Sequence, residues 1–216
     1  MKTPPHLGGH CNLTHTDHGA LKWARDRLVV TSVLDVGCGP GGQIQAAKSL
    51  GMEAMGIEGD PAVLDPSCMI HYDFGGLDSF ADLQITKRRF GMAWCVEFLE
   101  HVHAGFLPRI FAAFSLADHV VCTAAPPGMP GHHHVNLQPE RWWIERFQAE
   151  GWTSSEALTR ELRDASTMLE EGRTRGRNPR DFIRERGMVF SRVPPGLRGP
   201  SRDHSGLLAP HRFQQG

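Results

Sequence analysis

The stretch Val33-Leu34-Asp35-Val36-Gly37-Cys38-Gly39-Pro40-Gly41-Gly42 carries the densest chemical signal in the chain. Gly37, Gly39 and Gly42 stand in a G-x-G-x-x-G spacing. Glycines there admit positive φ and let a ligand approach the backbone with no Cβ in the way. Two acids qualify what that ligand is. Asp35 lies just before the first glycine, where a carboxylate repels a pyrophosphate but suits a ligand bearing an ammonium group. Glu58 follows about 20 residues on, at the spacing where an acid holds both hydroxyls of a ribose. Asp73 can accept a hydrogen bond from an exocyclic adenine amine, although aspartate is also a common turn residue. Together these favour an aminoacyl nucleoside. A nicotinamide or flavin dinucleotide is the alternative that the glycine spacing alone allows.

Three further groups carry candidate chemistry. In Glu97-x-x-Glu100-His101, one helical turn would put both acids on one face with the imidazole beside them. Such a set can hold a divalent cation such as Mg with waters completing the shell, or simply favour a helix N-terminus. The run from Ala125 to Asn136 holds His132-His133-His134. Three consecutive imidazoles are expected to put at most two toward a substrate, and imidazole suits a general base near neutrality. His134 and Asn136 are favoured there over His132. Near the start, His10, Thr14 and His15 could contact a ligand; Cys11, His15 and His18 have ligand-type spacing but lack a fourth zinc partner. Trp142-Trp143 reads as core packing or, alternatively, as a wall of an acceptor pocket. Arg173, Arg175, Arg177 and Arg180 form a solvated face or a phosphate clamp.

These residues need a scaffold that brings strand ends together. Asp17 can cap a helix to about Arg27, and Val33–Val36 is a brief β-branched run ended by Gly37, typical of a buried parallel strand. A helix over Gln43–Leu50 follows. Strands are expected at 54–57, 69–72, 90–95 and 119–123, with a helix over 104–116. Helices over 140–150 and 156–172 and a last strand at 187–192 complete the reading. Strand–helix alternation of this kind means an open, mostly parallel sheet covered on both faces, with ligands at the carboxyl ends of its strands.

A chain of 216 residues, 40% hydrophobic and 22% charged, fits one ordinary soluble domain with a short appendage. The expected division is a lid or coil over 1–16, a domain over 17–193 and a disordered tail over 194–216. The net charge of -1 gives no argument for nucleic acid. No apolar run approaches the ~20 residues that span a bilayer, and Met1–His10 lacks the apolar core of a signal peptide. Cys11, Cys38, Cys68, Cys95 and Cys122 are odd in number and widely spaced, which fits neither a disulfide framework nor a zinc ribbon. A cytoplasmic chain with reduced thiols is expected.

Over about residues 17–155 the motifs resemble those of class I S-adenosylmethionine-dependent methyltransferases. Val33–Gly42 resembles that family's first motif, Gly56-Ile57-Glu58-Gly59-Asp60 its ribose-binding motif, Tyr72-Asp73-Phe74 its adenine-reading segment, and Ala93–His101 the segment after its fourth strand. The resemblance implies a Rossmann-like α/β fold with a mostly parallel seven-stranded sheet and helices on both faces. It implies S-adenosylmethionine as cofactor, against Asp35, Gly37, Cys38, Gly39, Glu58, Gly59, Asp73, Phe74 and Cys95. It further implies in-line methyl transfer, expected at oxygen of a small molecule or sugar. His101 and His134 would be catalytic, with His15, Glu97, His132 and Asn136 on the substrate side. Glu97, Glu100 and His101 resemble residues associated with a divalent metal in quinone-type O-methyltransferases. A nucleic-acid acceptor is not expected, because Ala125-Pro126-Pro127-Gly128 lacks the acid or amide and the aromatic of DNA amino-methyltransferases. The alternatives are a nicotinamide-dependent oxidoreductase and a cofactor-binding protein without turnover. After residue 155 the sequence departs from the usual closing β-hairpin.

Overall fold

The computed structural model describes residues 4, 6–174 and 180–192. The expected tail over 194–216, together with Arg175 and Arg177, lies outside the described residues.

Asp17 accepts a hydrogen bond from the Ala20 N–H at 2.9 Å and so starts helix α1 (His18–Arg27). Strand β1 (Ser32–Val36) is apolar and short, and pairs in parallel with β2 (Glu53–Glu58) on one side and β4 (Phe90–Cys95) on the other. Strand β3 (Met69–His71) extends the sheet beyond β2, and β5 (Ala117–Cys122) extends it beyond β4. Two antiparallel strands close it, β7 (Met188–Arg192) against β5 and β6 (Trp152–Ser154) against β7. The resulting order is β3-β2-β1-β4-β5-β7-β6. Chain direction across the sheet reverses between β1 and β4, and such a switch point opens a crevice at the carboxyl ends of the strands.

Strand alternation sends side chains to two apolar layers. Leu34, Val36, Ala93, Cys95, Val120 and Phe190 pack under α3 (Leu107–Phe114) and α4 (Glu140–Ala149). Val33, Met92, Trp94, Val121 and Val189 pack under α1, α2 (Gly42–Ser49) and α5 (Glu156–Ala165). The first layer is knit by Phe147 and Phe190, whose rings stack at 3.8 Å. Trp143 is buried in it and Trp142 packs beside it, so the tryptophan pair is core and neither ring reaches the crevice.

The last third of the chain differs from the expectation in three ways. Strand β6 is too short for an alternating pattern to reveal it, and its pairing with β7 supplies the seventh strand. The helix expected over 156–172 breaks at Ser166 and Thr167 into α5 and α6 (Met168–Thr174). The cause is Asp17: its carboxylate accepts from Ser166 Oγ at 2.6 Å and from the Thr167 N–H at 3.0 Å, and pulls the chain out of helical register there. A further short helix, α7 (Phe182–Arg186), precedes β7. The closing antiparallel pair is therefore present, with α5, α6 and α7 between its strands where a tight turn would stand.

Asp17 is fully buried, and burial raises its pKa against the lowering effect of those hydrogen bonds. Its replacement by Ala removes a helix cap and leaves Ser166 and Thr167 without their acceptor. The expected loss is about 2 kcal/mol of unfolding free energy, read from urea denaturation. A change indistinguishable from zero would mean that the α5–α6 break does not depend on Asp17.

Candidate active site

A crevice of about 1110 Å³ opens at the carboxyl edge of the sheet. Its floor is the turn from β1 into α2. Gly37, Gly39 and Gly41 have φ of 74°, 51° and 79°, a region that side chains disfavour. A Cβ on Gly37 would come within 2.2 Å of the Phe98 ring. The amides of this turn are engaged within the protein. Gly37 and Cys38 donate to the Ile57 carbonyl, Gly39 to Glu58 at 2.7 Å, Gly41 to the Cys38 carbonyl, and Gly42 to Thr14 Oγ1 at 3.0 Å. Such a loop leaves few N–H groups to cradle a phosphate.

Asp35 ends β1 beneath this loop and is only 4% exposed. Its carboxylate has no hydrogen-bond or ion-pair partner among the described residues. Burial, and behind it the nearby Glu58 charge, push its pKa up to about 8. Glu58 accepts from the amides of Gly39 and Asp60, the latter at 2.8 Å. Gly59 and Asp73 line the same side, and Phe74 turns its ring edge-on to Phe98. Of the residues expected around a cofactor, Asp35, Gly37, Cys38, Gly39, Glu58, Gly59, Asp73 and Phe74 all line the crevice. Cys95 does not. It has the parity of Ala93 on β4, so its side chain is fully buried under α3 and α4, while Trp94 faces the crevice side.

Eight of the thirteen histidines line this crevice: His6, His10, His15, His101, His103, His132, His133 and His134. All three of the consecutive run border it. The left-handed backbone of His133 (φ 46°) breaks the alternation of the run. The Glu100 carbonyl accepts from the amides of Val135 and Asn136 at 2.9 and 3.1 Å and ties this loop to the turn Leu99–His101. The Asn136 side chain is buried and donates to the Leu99 carbonyl at 3.4 Å. It braces that tie and does not line the crevice, contrary to its expected place on the substrate side. The tie brings the rings of His134 and His101 to 5.0 Å. His134 Nδ1 donates to the Met129 carbonyl at 3.0 Å, which leaves Nε2 with its lone pair. Burial, reinforced by the neighbouring His134, lowers the His101 pKa.

Glu97 and Glu100 do not share a helical face. Glu97 is left-handed (φ 55°) and precedes the short turn that holds Glu100. Its carboxylate pairs with Arg186 at 2.7 Å. Glu100 is fully buried, and neither of its carboxylate oxygens has a hydrogen-bond partner. Desolvation, then the Glu97 charge, raise its pKa to about 8. The metal-type cluster in the structure is accordingly Glu100, His101 and His134, whose ligand atoms lie within 4.8 Å of one another. Glu97, expected in that set, pairs with Arg186 in this structure and stands outside the cluster. The Cys11, His15 and His18 set is also not assembled. Cys11 is exposed, His15 packs edge-on against Phe182, and His18 donates to Glu171 at 2.8 Å.

Two segments far apart in the chain cover the crevice. Residues 6–15 run across it, with His6 on Asp73 at 2.9 Å and His10 on Asp60 at 3.3 Å. Leu169 and residues 180–186 form a second wall. Arg180 is exposed at this wall, and Arg173 is exposed on α6. His6, Phe98 and Arg186 were not singled out from the sequence. A histidine in a Pro/Gly-rich lead-in and an arginine far from any motif gave no signal. The aromatic inside Glu97–His101 was the one legible clue. No helix among the described residues is long and apolar enough to cross a membrane.

The strand order, the antiparallel closing pair and the crevice at the switch point define a class: the chain has the Rossmann-like α/β fold of methyltransferases. Among solved structures it is similar to the sugar N-methyltransferase KedS8 from Streptoalloteichus sp ATCC 53650, with TM-score 0.54 and 15% identity over 82% of this chain and 87% of that one. The plantazolicin methyltransferase BpumL, in complex with a triazolic desmethylPZN analog and SAH, gives TM-score 0.54 and 10% identity over 82% and 83%. The methyltransferase domain of bacterial CtHen1-C gives 0.53 and 13% over 82% and 97%. At such identities the likeness establishes the fold and leaves the reaction to be argued from the residues. No family model matches the sequence, and no curated protein matches it.

Asp35 makes the unliganded protein pH-sensitive in a defined sense. Its folded-state pKa near 8 lies above the ordinary 3.8, so the unfolded chain releases this proton first as pH rises. The stability present with the neutral acid is complete below about pH 4 and declines up to about pH 8, by an amount on the order of a few kcal/mol. Urea unfolding across that range is expected to show the decline in the wild type and its absence in Asp35→Asn. Parallel curves for the two proteins would refute the assignment.

Proposed function

We propose that this chain is an S-adenosylmethionine-dependent methyltransferase acting at oxygen of a small molecule or sugar. The single observation that carries this is Asp35: a buried carboxylate without a partner among the described residues, beneath a glycine loop whose amides are already engaged. That site lacks a positive charge, not a phosphate. An amino-acid ammonium fits it, and a dinucleotide pyrophosphate does not. The solved methyltransferases of this fold include a sugar N-methyltransferase and one crystallised with SAH, which supports the donor and the acceptor class, while the choice of oxygen rests on the imidazole base.

The donor, when bound, supplies an activated methyl group, so the protein's task is alignment and proton removal. Asp35 accepts the ammonium and Glu58 the ribose hydroxyls. Asp73 reads the adenine edge, with Phe74 and Phe98 packing beside it. Gly59 lets the ribose side approach. Glu97, His15 and His132 lie on the acceptor side. An acceptor hydroxyl needs a base, and His134 Nε2, with Nδ1 fixed on Met129, is placed to take its proton, with His101 beside it.

The same trio fits a divalent cation. Glu100 carries two buried oxygens without partners, and such a carboxylate is stabilised by a cation. With two imidazoles in the set, Mn2+ or Zn2+ suits it better than the Mg expected from acids alone. Glu100, His101 and His134 Nε2 would hold the ion, and Lewis-acid activation of the acceptor hydroxyl would then stand in place of His134 as the base.

Calorimetry tests the donor site. S-adenosylmethionine binding near neutral pH is expected to release about one proton as Asp35 ionises. Asp35→Ala or Glu58→Ala is expected to lose about 100-fold in affinity, roughly 2.7 kcal/mol. Unchanged affinity in both would defeat the proposal. For the acceptor side, a cell extract incubated with methyl-labelled donor and analysed by mass spectrometry is expected to show an O-methylated product. His134→Ala should reduce its formation by about 100-fold while donor affinity holds. Label on nitrogen or carbon would correct the acceptor atom, and an unchanged rate under a chelator would remove the metal.

A further inference from the structure

Gly131 stands in the loop after β5, between Pro130 and the three consecutive histidines. Its φ lies outside the left-handed region that Gly128 of the same loop occupies (φ 83°), so its backbone does not call for glycine. Space is what a side chain lacks there. A Cβ on Gly131 would stand 2.1 Å from His134 Nε2, and its next two neighbours would be Cε1 and Cδ2 of the same ring. The Nε2 end of the imidazole therefore fills the volume that the first side-chain carbon of any other residue would take.

If a methyl group is added, something must yield, and the surroundings decide what. The loop is tied before and after Gly131. The Met129 N–H donates to the Pro126 carbonyl at 3.2 Å, His132 Nε2 to the Leu7 carbonyl at 3.3 Å, and the Val135 N–H to the Glu100 carbonyl at 2.9 Å. The imidazole of His134 is held by one bond, from Nδ1 to the Met129 carbonyl at 3.0 Å, and packs against the His101 ring. One side-chain hydrogen bond gives way more easily than several that fix the chain. The ring is therefore what moves, and Nε2 has to retreat by more than 1 Å before it reaches ordinary contact at 3.4 Å.

We propose that Gly131 is a positioning residue for the transfer reaction: its missing side chain is the seat of the His134 imidazole and fixes where Nε2 stands in the crevice. The Met129 carbonyl holds one end of the ring and Gly131 receives the other, so two residues of one loop orient the group. A misplacement of about 1 Å at a reacting group costs on the order of 100-fold in rate. The inference rests on the acceptor-side role of His134 given above, and adds to it what sets the place of that ring.

The test compares Gly131→Ala, His134→Ala and the double variant with the wild type, each as the full chain incubated with cell extract and methyl-labelled S-adenosylmethionine. Gly131→Ala is expected to form labelled product about 30- to 100-fold more slowly, with donor affinity by calorimetry within about twofold of the wild type and Tm within about 2 °C. Added to His134→Ala, it is expected to change nothing further, because the ring it would displace is gone. A crystal structure of Gly131→Ala is expected to show His134 Nε2 displaced by about 1 Å or more. The proposal is overturned if Gly131→Ala keeps the full rate, if its loss adds in full to that of His134→Ala, as general damage to the loop would, or if the ring stays in place. Failure of the underlying reading looks different: His134→Ala forms product as fast as the wild type, or the wild type forms none, and either result overturns both ideas.

Discussion

A carboxylate buried at the floor of a crevice with no partner among the described residues is costly, and a fold keeps one only if something else depends on it. Asp35 is that group here. It lies at the carboxyl end of β1, between β2 and β4, and the surrounding features follow from accommodating it. The turn above it is glycine-rich because the chain must reverse at positive φ under the Phe98 ring. The Glu58 carboxylate ties that turn through Gly39 and so keeps a second negative charge nearby. Two acids facing one enclosed space make it a receptor for a cationic ligand with hydroxyls, and the proposed methyl donor has both.

A second group of buried acids shapes the other half of the crevice. Among the described residues no side chain pairs with Glu100 while Glu97 has a guanidinium, so near neighbours in sequence live in opposite electrostatic circumstances. The carbonyl of Glu100 also anchors the loop that carries His134. One residue therefore does two things: its backbone brings the imidazole in, and its side chain presents a charge for the imidazoles to share. The cover is built similarly. Asp17 joins the root of the 6–15 segment to the break between α5 and α6, while the Asp17 amide donates to Gln43 on the helix that leaves the glycine turn. Both walls are thereby rooted in the same buried cluster as the floor.

The parallel strands and their helices were legible because each is a short β-branched or apolar run with a clear stop. Phe90–Cys95 was placed to the residue, and Asp17 was read correctly as a cap. The acids at strand ends were legible for the same reason: a polar residue closing an apolar run marks the edge where ligands meet the sheet. Side-chain direction was less so. Cys95 sits in the right segment on the wrong face, Asn136 in the right loop turned inward, and His133 bends a run whose geometry cannot be known from residue type.

The sequence by itself determined the order of elements, the glycine turn and the identity of the two acids that flank it, since these follow from local patterning and from spacing along one chain. Only the tertiary structure decided which groups meet across long separations. Glu97 meets Arg186 and His101 meets His134 because a parallel sheet stacks strand ends that are distant in sequence. No local pattern encodes those distances. Which acid is paired and which left open is a property of the assembled crevice, where burial makes every charge depend on its neighbours.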